Sequence, residues 1–179
     1  MSNHFTVLWT HWTCRELQRA GLTGQRPPVA FSGVHTSLPR WAGARPDSEV
    51  YAVHVKGGVL HLVSRMRVLA PADDRPCCRT PDGHGRWSLL GEGGCGAEAV
   101  HLDATPVRFD TTVPGADLAD LTWCNQRGKV RQLKHVEDGR LRSAVSVQGF
   151  YRITADTADR FAALSGDDFA STARPAATA

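Results

Sequence analysis

The sequence predicts an α+β domain: a curved or barrel-like mixed β-sheet flanked by helices. Three observations carry that prediction. Two alternating apolar runs, residues 47–55 and 59–68, meet at Lys56-Gly57-Gly58, and Gly-Gly supplies the positive φ of a tight hairpin turn. Strand-like segments outnumber helical ones and follow the order strand, helix, several strands, helix. A chain of 179 residues with 41% hydrophobic content fills one sizeable core but not two. One domain is therefore expected over residues 1–169, with an irregular insertion at 71–98 and a small, polar, disordered tail at 170–179.

Residues 5–9 read as a first strand. Thr13-Cys14-Arg15-Glu16 fits a capping box, in which the Thr13 hydroxyl caps a helix whose third residue is Glu. That helix passes Leu17 and Ala20 and stops at Gly21. Pro27-Pro28 marks a loop, because paired prolines cannot continue a helix. Residues 29–31 are short and apolar. Residues 35–47, rich in Pro, Gly and Arg and carrying Trp41, form a long connection of the kind that tends to be functional. In the second arm of the hairpin, Leu60, Leu62, Met66 and Val68 alternate against His61, Arg65 and Arg67, which predicts one buried face and one basic face.

Beyond the hairpin, residues 71–96 are dominated by Pro, Gly, Asp, Arg and Cys, with one short turn of structure expected near 87–90. Short strands are expected at 99–102 and 107–109. Residues 118–123 and 130–133 flank a turn signal at Gln126-Arg127-Gly128. Residues 145–153 read as a final strand, and Thr154 caps a closing helix that runs to Leu164 and ends at Gly166.

The formal charge of +3 permits a polyanionic partner without demanding one. Its distribution is more informative. Arg127, Lys129, Arg131, Lys134, Arg140 and Arg142 face only Glu137 and Asp138 in the same stretch, a cluster that suits either a phosphate backbone or a solvated strand-and-turn surface. The five cysteines are scattered and odd in number, which argues against a secreted disulfide scaffold. No signal peptide is read, and no apolar run approaches the ~20 residues of a membrane span. A soluble, cytoplasmic protein is expected.

Five tryptophans beside two tyrosines make an uneven aromatic composition. Trp9 and Trp12 straddle the end of the first strand, and Trp41 sits in a loop of small and polar residues. An indole in a loop either covers the core or binds something, and a flat indole stacks well on a base. An everted base also needs partners for its polar edge, which Ser32, His35, Thr36 and nearby backbone amides can supply. Trp9 reads more readily as core, Trp12 as packing at a helix entry and Trp41 as a lid on the barrel.

The hairpin, the 29–41 segment ending at Trp41, and the closing Ser146-Val147-Gln148-Gly149-Phe150-Tyr151-Arg152 strand together resemble the PUA-like superfamily, which includes the EVE, ASCH and YTH domains. The resemblance spans most of the chain, without a diagnostic motif, and it does not extend to residues 71–96. It implies a domain that grips nucleic acid and reads a modified base by flipping it into an aromatic pocket. The candidate pocket is Trp9, Trp12, Phe31, Ser32, Gly33, His35, Thr36 and Trp41. The candidate phosphate contacts are Arg65, Arg67, Arg127, Lys129, Arg131, Lys134, Arg140 and Arg142. By analogy with bacterial EVE- and YTH-like readers, the expected partner is double-stranded DNA carrying 5-methylcytosine, with a nucleoid-associated location; the pocket residues suit hydroxymethylcytosine or methyladenine equally. An RNA-binding module and an ASCH-like nucleoside-processing enzyme are the alternatives.

Other chemistry has little footing in the residues. Cys77-Cys78, His84 and Cys95 do not have the spacing of a zinc site, and adjacent cysteines rarely ligate one tetrahedral ion. His11 and Cys14 suggest a Cys/His nucleophile only if Cys14 is not facing the core. No phosphate-binding glycine loop, nucleophile elbow or metalloprotease motif is present. A binding protein without cofactor or metal is expected, not an enzyme.

Overall fold

The computed structural model describes residues 4–31, 44–71, 85–91, 99–124, 128–166 and 169. Ten strands and two α-helices are present among them: β1 (His4–Leu8), α1 (His11–Arg19), β2 (Val29–Phe31), β3 (Glu49–Lys56), β4 (Val59–Pro71), β5 (Ala99–Ala104), β6 (Thr122–Cys124), β7 (Val130–Gln132), β8 (Val136–Glu137), β9 (Arg140–Leu141), β10 (Phe150–Ile153) and α2 (Ala155–Ser165). Eight strands form one sheet in the order β2-β5-β4-β3-β1-β10-β6-β7. Only β1 and β3 run parallel, because α1 carries the chain between them; the other neighbours are antiparallel. The α+β class and mixed sheet agree with expectation. Barrel closure does not: among the described residues β2 and β7 are the two edges and are not paired with each other.

The β3–β4 hairpin is where the sequence pattern fails in an instructive way. Its turn is the expected Gly57-Gly58, both at positive φ. The single buried face is not observed. Ala52 pairs with Ser64 and Val53 with Leu62, so Val63 is an extra residue, a β-bulge. One inserted residue reverses the in-and-out phase of everything after it. Leu60 and Leu62 therefore point into one core, and Met66 and Val68 into the other. Both faces of the hairpin are covered, and β3 is buried from Val50 to His54.

The two cores lie on opposite faces of the sheet. The first gathers Phe5, Trp9, Val50, Ala52, Met66 and Val68 under α1, which contributes Cys14 and Leu17. Trp87 also packs here, from the short 3-10 turn Gly85–Gly91, close to where the sequence places one. The second gathers Tyr51, Val53, Leu60, Leu62, Trp123 and Ile153 under α2, which contributes Ala158 and Phe161. Apolar burial of this kind contributes ~25 cal/mol per Å².

Several local expectations are corrected. The α1 cap is Thr10, whose hydroxyl accepts from the Thr13 amide at 3.1 Å; Thr13 is already inside the helix. Residues 107–109 form no strand, although the Val107 amide and carbonyl bond to Gln25 and Gly24. Of residues 118–123, only 122 and 123 lie in a strand, β6. The closing strand begins at Phe150, because Ala144–Ser146 is a 3-10 turn. The small hairpin β8–β9 was not anticipated; its turn is Asp138-Gly139, both at positive φ. The end of the chain is as expected: Thr154 caps α2 and Gly166 ends it at φ 63°. The expected tail, residues 170–179, lies outside the described residues.

Candidate nucleic-acid interface

The basic cluster is displayed by a segment that wraps the end of the second core. Leu133, Val136, Leu141, Ala144 and Val147 turn inward onto that core. Their charged neighbours are thereby left outward: Lys129, Arg131, Lys134, Arg140 and Arg142 are all exposed, with Glu137 and Asp138 the only acids among them. Arg131, on the edge strand β7, holds its guanidinium 5.0 Å from the Tyr151 ring centroid. Arg140 donates to the Gly57 carbonyl at 3.3 Å. Arg142 donates to Glu137 at 2.9 Å, a solvent-exposed pair. The Ser146 hydroxyl accepts from the Lys134 amide and donates to its carbonyl, fixing the backbone that carries Lys134.

Gly58 locks this segment to the main sheet. The Leu141 amide donates to the Gly58 carbonyl at 2.8 Å. A Cβ at Gly58 would stand 3.1 Å from the Leu141 carbonyl oxygen, at φ +79°. The ridge is therefore held beside the β3–β4 turn, where Lys56 adds a further cation. An open cavity of about 660 Å³ lies next to it, lined by Val59, Thr112, Pro114, Asp138 and Arg140 among others, with no aromatic ring in its wall.

On the first-core face of the same turn stands a row of three histidines. The His11 and His54 rings stack at 5.8 Å between centroids, and His54 lies 6.0 Å from His61. His54 Nδ1 lies 3.2 Å from the Trp9 carbonyl, which makes that nitrogen the protonated one if the bond is made. Burial lowers the pKa of both His54 and His61, and the positive groups nearby lower it further; backbone carbonyls oppose the shift in each case. Trp12, next to His11, is 45% exposed and is the one described aromatic of the expected pocket that faces solvent. Trp9 is 6% exposed and packs in the first core, so it forms no pocket wall. Phe31 ends β2, and its side chain lies outside the described residues, as do Ser32, Gly33, His35, Thr36, Trp41 and Arg127.

Arg65 and Arg67 do not lie on a basic face. Arg65 donates to Glu49 at 2.6 Å and Arg67 to Asp103 at 3.2 Å. Glu49 also accepts from the Tyr51 hydroxyl at 2.8 Å and has His4 Nδ1 at 3.4 Å. Burial alone would raise the Glu49 pKa, but the Arg65 and Tyr51 hydrogen bonds and the Arg65 and His4 charges outweigh it, so its carboxyl is held below the usual range. With a carboxylate on each guanidinium, these arginines have no net charge to offer a phosphate.

The Cys14 thiol is buried, near the Trp9 carbonyl at 3.8 Å, and burial pushes its pKa up to about 12. A protonated, enclosed thiol is not a nucleophile. Among the described residues, no group of three His, Cys, Asp or Glu is placed to hold a metal ion. Cys77, Cys78, His84 and Cys95 lie outside them. No described helix is long and apolar enough to cross a membrane. No protein-family model matches the chain, and no curated protein does.

Proposed function

We infer that this chain is a nucleic-acid-binding module that docks duplex DNA along the Lys129–Arg142 ridge. The observation that carries the reading is that ridge: five exposed basic side chains against two acids, on a backbone pinned to the β3–β4 turn. Phosphate neutralisation by such a surface releases counterions and supplies sequence-independent affinity. The base-specific half of the proposal, eversion of 5-methylcytosine against Trp12 and the 31–41 segment, rests on the PUA-like resemblance. A methyl group needs a close apolar surface, and the pyrimidine edge needs donors and acceptors, a combination that segment contains. Binding without chemistry, and a cytoplasmic, nucleoid-associated location, follow from the same reading.

The test is gel-shift binding to matched duplexes differing by a single methylated cytosine, with an RNA duplex of the same sequence alongside. The proposal expects Trp41→Ala to abolish the preference for the methylated duplex while keeping weak general binding. Equal loss on methylated and plain DNA contradicts the pocket. Tighter binding to RNA than to either DNA moves the assignment to an RNA module.

A further inference from the structure

At the end of the sheet away from the ridge, four side chains from four adjacent strands fall in one register row. His4 pairs with Glu49, Glu49 with Arg67, and Arg67 with Asp103. Arg65, one row further along β4, reaches the same Glu49 carboxylate. Above both guanidiniums lies a ring from beyond the end of α2. Phe169 is 4.7 Å from the Arg65 guanidinium carbon and 4.2 Å from that of Arg67, measured to the ring centroid. The Nε atoms of both arginines and Nδ1 of His4 are buried without a hydrogen-bond partner.

The two guanidiniums are matched by two carboxylates, which disfavours a phosphate. What the arginines present instead is their flat faces, and a guanidinium face attracts a π-system. One such ring already occupies the place, and it belongs to the chain itself.

We propose that the His4–Glu49–Arg65–Arg67–Asp103 row is a binding site for a neutral planar ring, a nucleobase, and that Phe169 occupies it as an internal stand-in. The choice of a nucleobase among planar rings rests on the nucleic-acid function proposed above. Phe169 follows the α2 cap, Gly166, by three residues, so its ring competes at the high effective concentration of a short tether. A ligand therefore binds with an affinity reduced by the fraction of molecules in which the ring is seated. Arginine–base stacking is sequence-tolerant, which fits a site that holds a base rather than identifies one.

The experiment titrates 5-methyldeoxycytidine and deoxyadenosine, nucleosides without phosphate, into the full chain, followed by amide chemical shifts. Phe169→Ala is expected to bind both at least about tenfold more tightly than the parent chain, with shifts centred on Arg65 and Arg67. Adding Arg67→Gln to that variant is expected to remove the gain. Ribose 5-phosphate, which has the phosphate and no base, is expected not to compete. Phe169→Leu keeps apolar cover without a π-face and is expected to show the gain as well, which guards against a folding defect in the alanine variant. No gain in either variant, or competition by ribose 5-phosphate equal to that of the nucleosides, overturns the proposal. Nucleosides do not use the ridge, so failure of duplex binding leaves this result unaffected and the two readings fail separately.

Discussion

At the scale of single residues, Glu49 ties three strands together through one carboxylate: His4 of β1, Tyr51 of its own β3 and Arg65 of β4. The carboxylate accepts from Arg65 and Tyr51 and lies 3.4 Å from His4 Nδ1, mostly withdrawn from water. Replacing it leaves a guanidinium and a phenol without their acceptor. We expect Glu49→Ala to lower unfolding stability by about 1.5–3 kcal/mol in urea titrations, the usual cost of losing a charge-assisted hydrogen bond. The pH dependence follows from the direction of its shift. The Glu49 pKa in the folded chain lies below its ordinary value of 4.5, so the unfolded chain binds the proton more readily. Its stabilisation is present above pH 4.5 and is lost as pH falls through the lower, folded value. Urea midpoints measured from pH 6 downward should therefore fall less steeply in Glu49→Gln than in the parent chain.

At the scale of elements, the histidine row and the ridge anchor give two more tests. His54 and His61 are held neutral, with folded pKa values below 6.5. The unfolded chain takes up their protons first, so stability is full above about pH 6.5 and declines as pH drops toward the folded values. The charged groups facing them are His11 and Lys56, and both oppose protonation. His54→Gln should flatten the stability profile between pH 7 and 5; an unchanged slope would remove His54 from the account. Gly58→Ala should destabilise the chain by about 1 kcal/mol or more, because φ is +79° and the new methyl meets the Leu141 carbonyl. Thermal melts read that cost.

What the sequence made legible at this scale follows from how local each cause is. The β3–β4 turn, the Thr154 cap and the Gly166 stop depend on neighbours in sequence, and each was read correctly. The bulge at Val63 depends on how two strands register, so an alternating pattern that continues through it misassigns Met66 and Val68. The same limit hid the partners of Arg65 and Arg67, since Glu49 and Asp103 become neighbours only across strands. The Asp138-Gly139 turn of β8–β9 is a local Asp-Gly hairpin signal set among charged residues, and its two-residue strands are too short to show an alternating pattern. The ridge was visible as composition, but its outward display comes from Leu133, Val136 and Leu141 packing inward.

At the scale of the whole molecule, one sheet separates two differently charged ends. The turn end carries the cationic ridge, Lys56 and the histidine row; the opposite end carries a self-neutralised row capped by Phe169. A net charge of only +3 over the whole chain supplies little diffuse attraction for a polyanion, so the proposed affinity rests on a local concentration of cations such as the ridge. Glu49 and Asp103 each pair with an arginine at the other end.

The most direct measurement of the central claim is the salt dependence of duplex DNA binding in the parent chain and in Lys134→Ala, a ridge residue whose own side chain makes no described contact with the fold. If the ridge holds phosphates, the slope of log K against log salt falls by about 0.9 for that single substitution, equally on methylated and plain duplexes. Arg67→Ala leaves the slope unchanged. An unaltered slope in Lys134→Ala, or a parent chain whose binding does not respond to salt at all, contradicts the account.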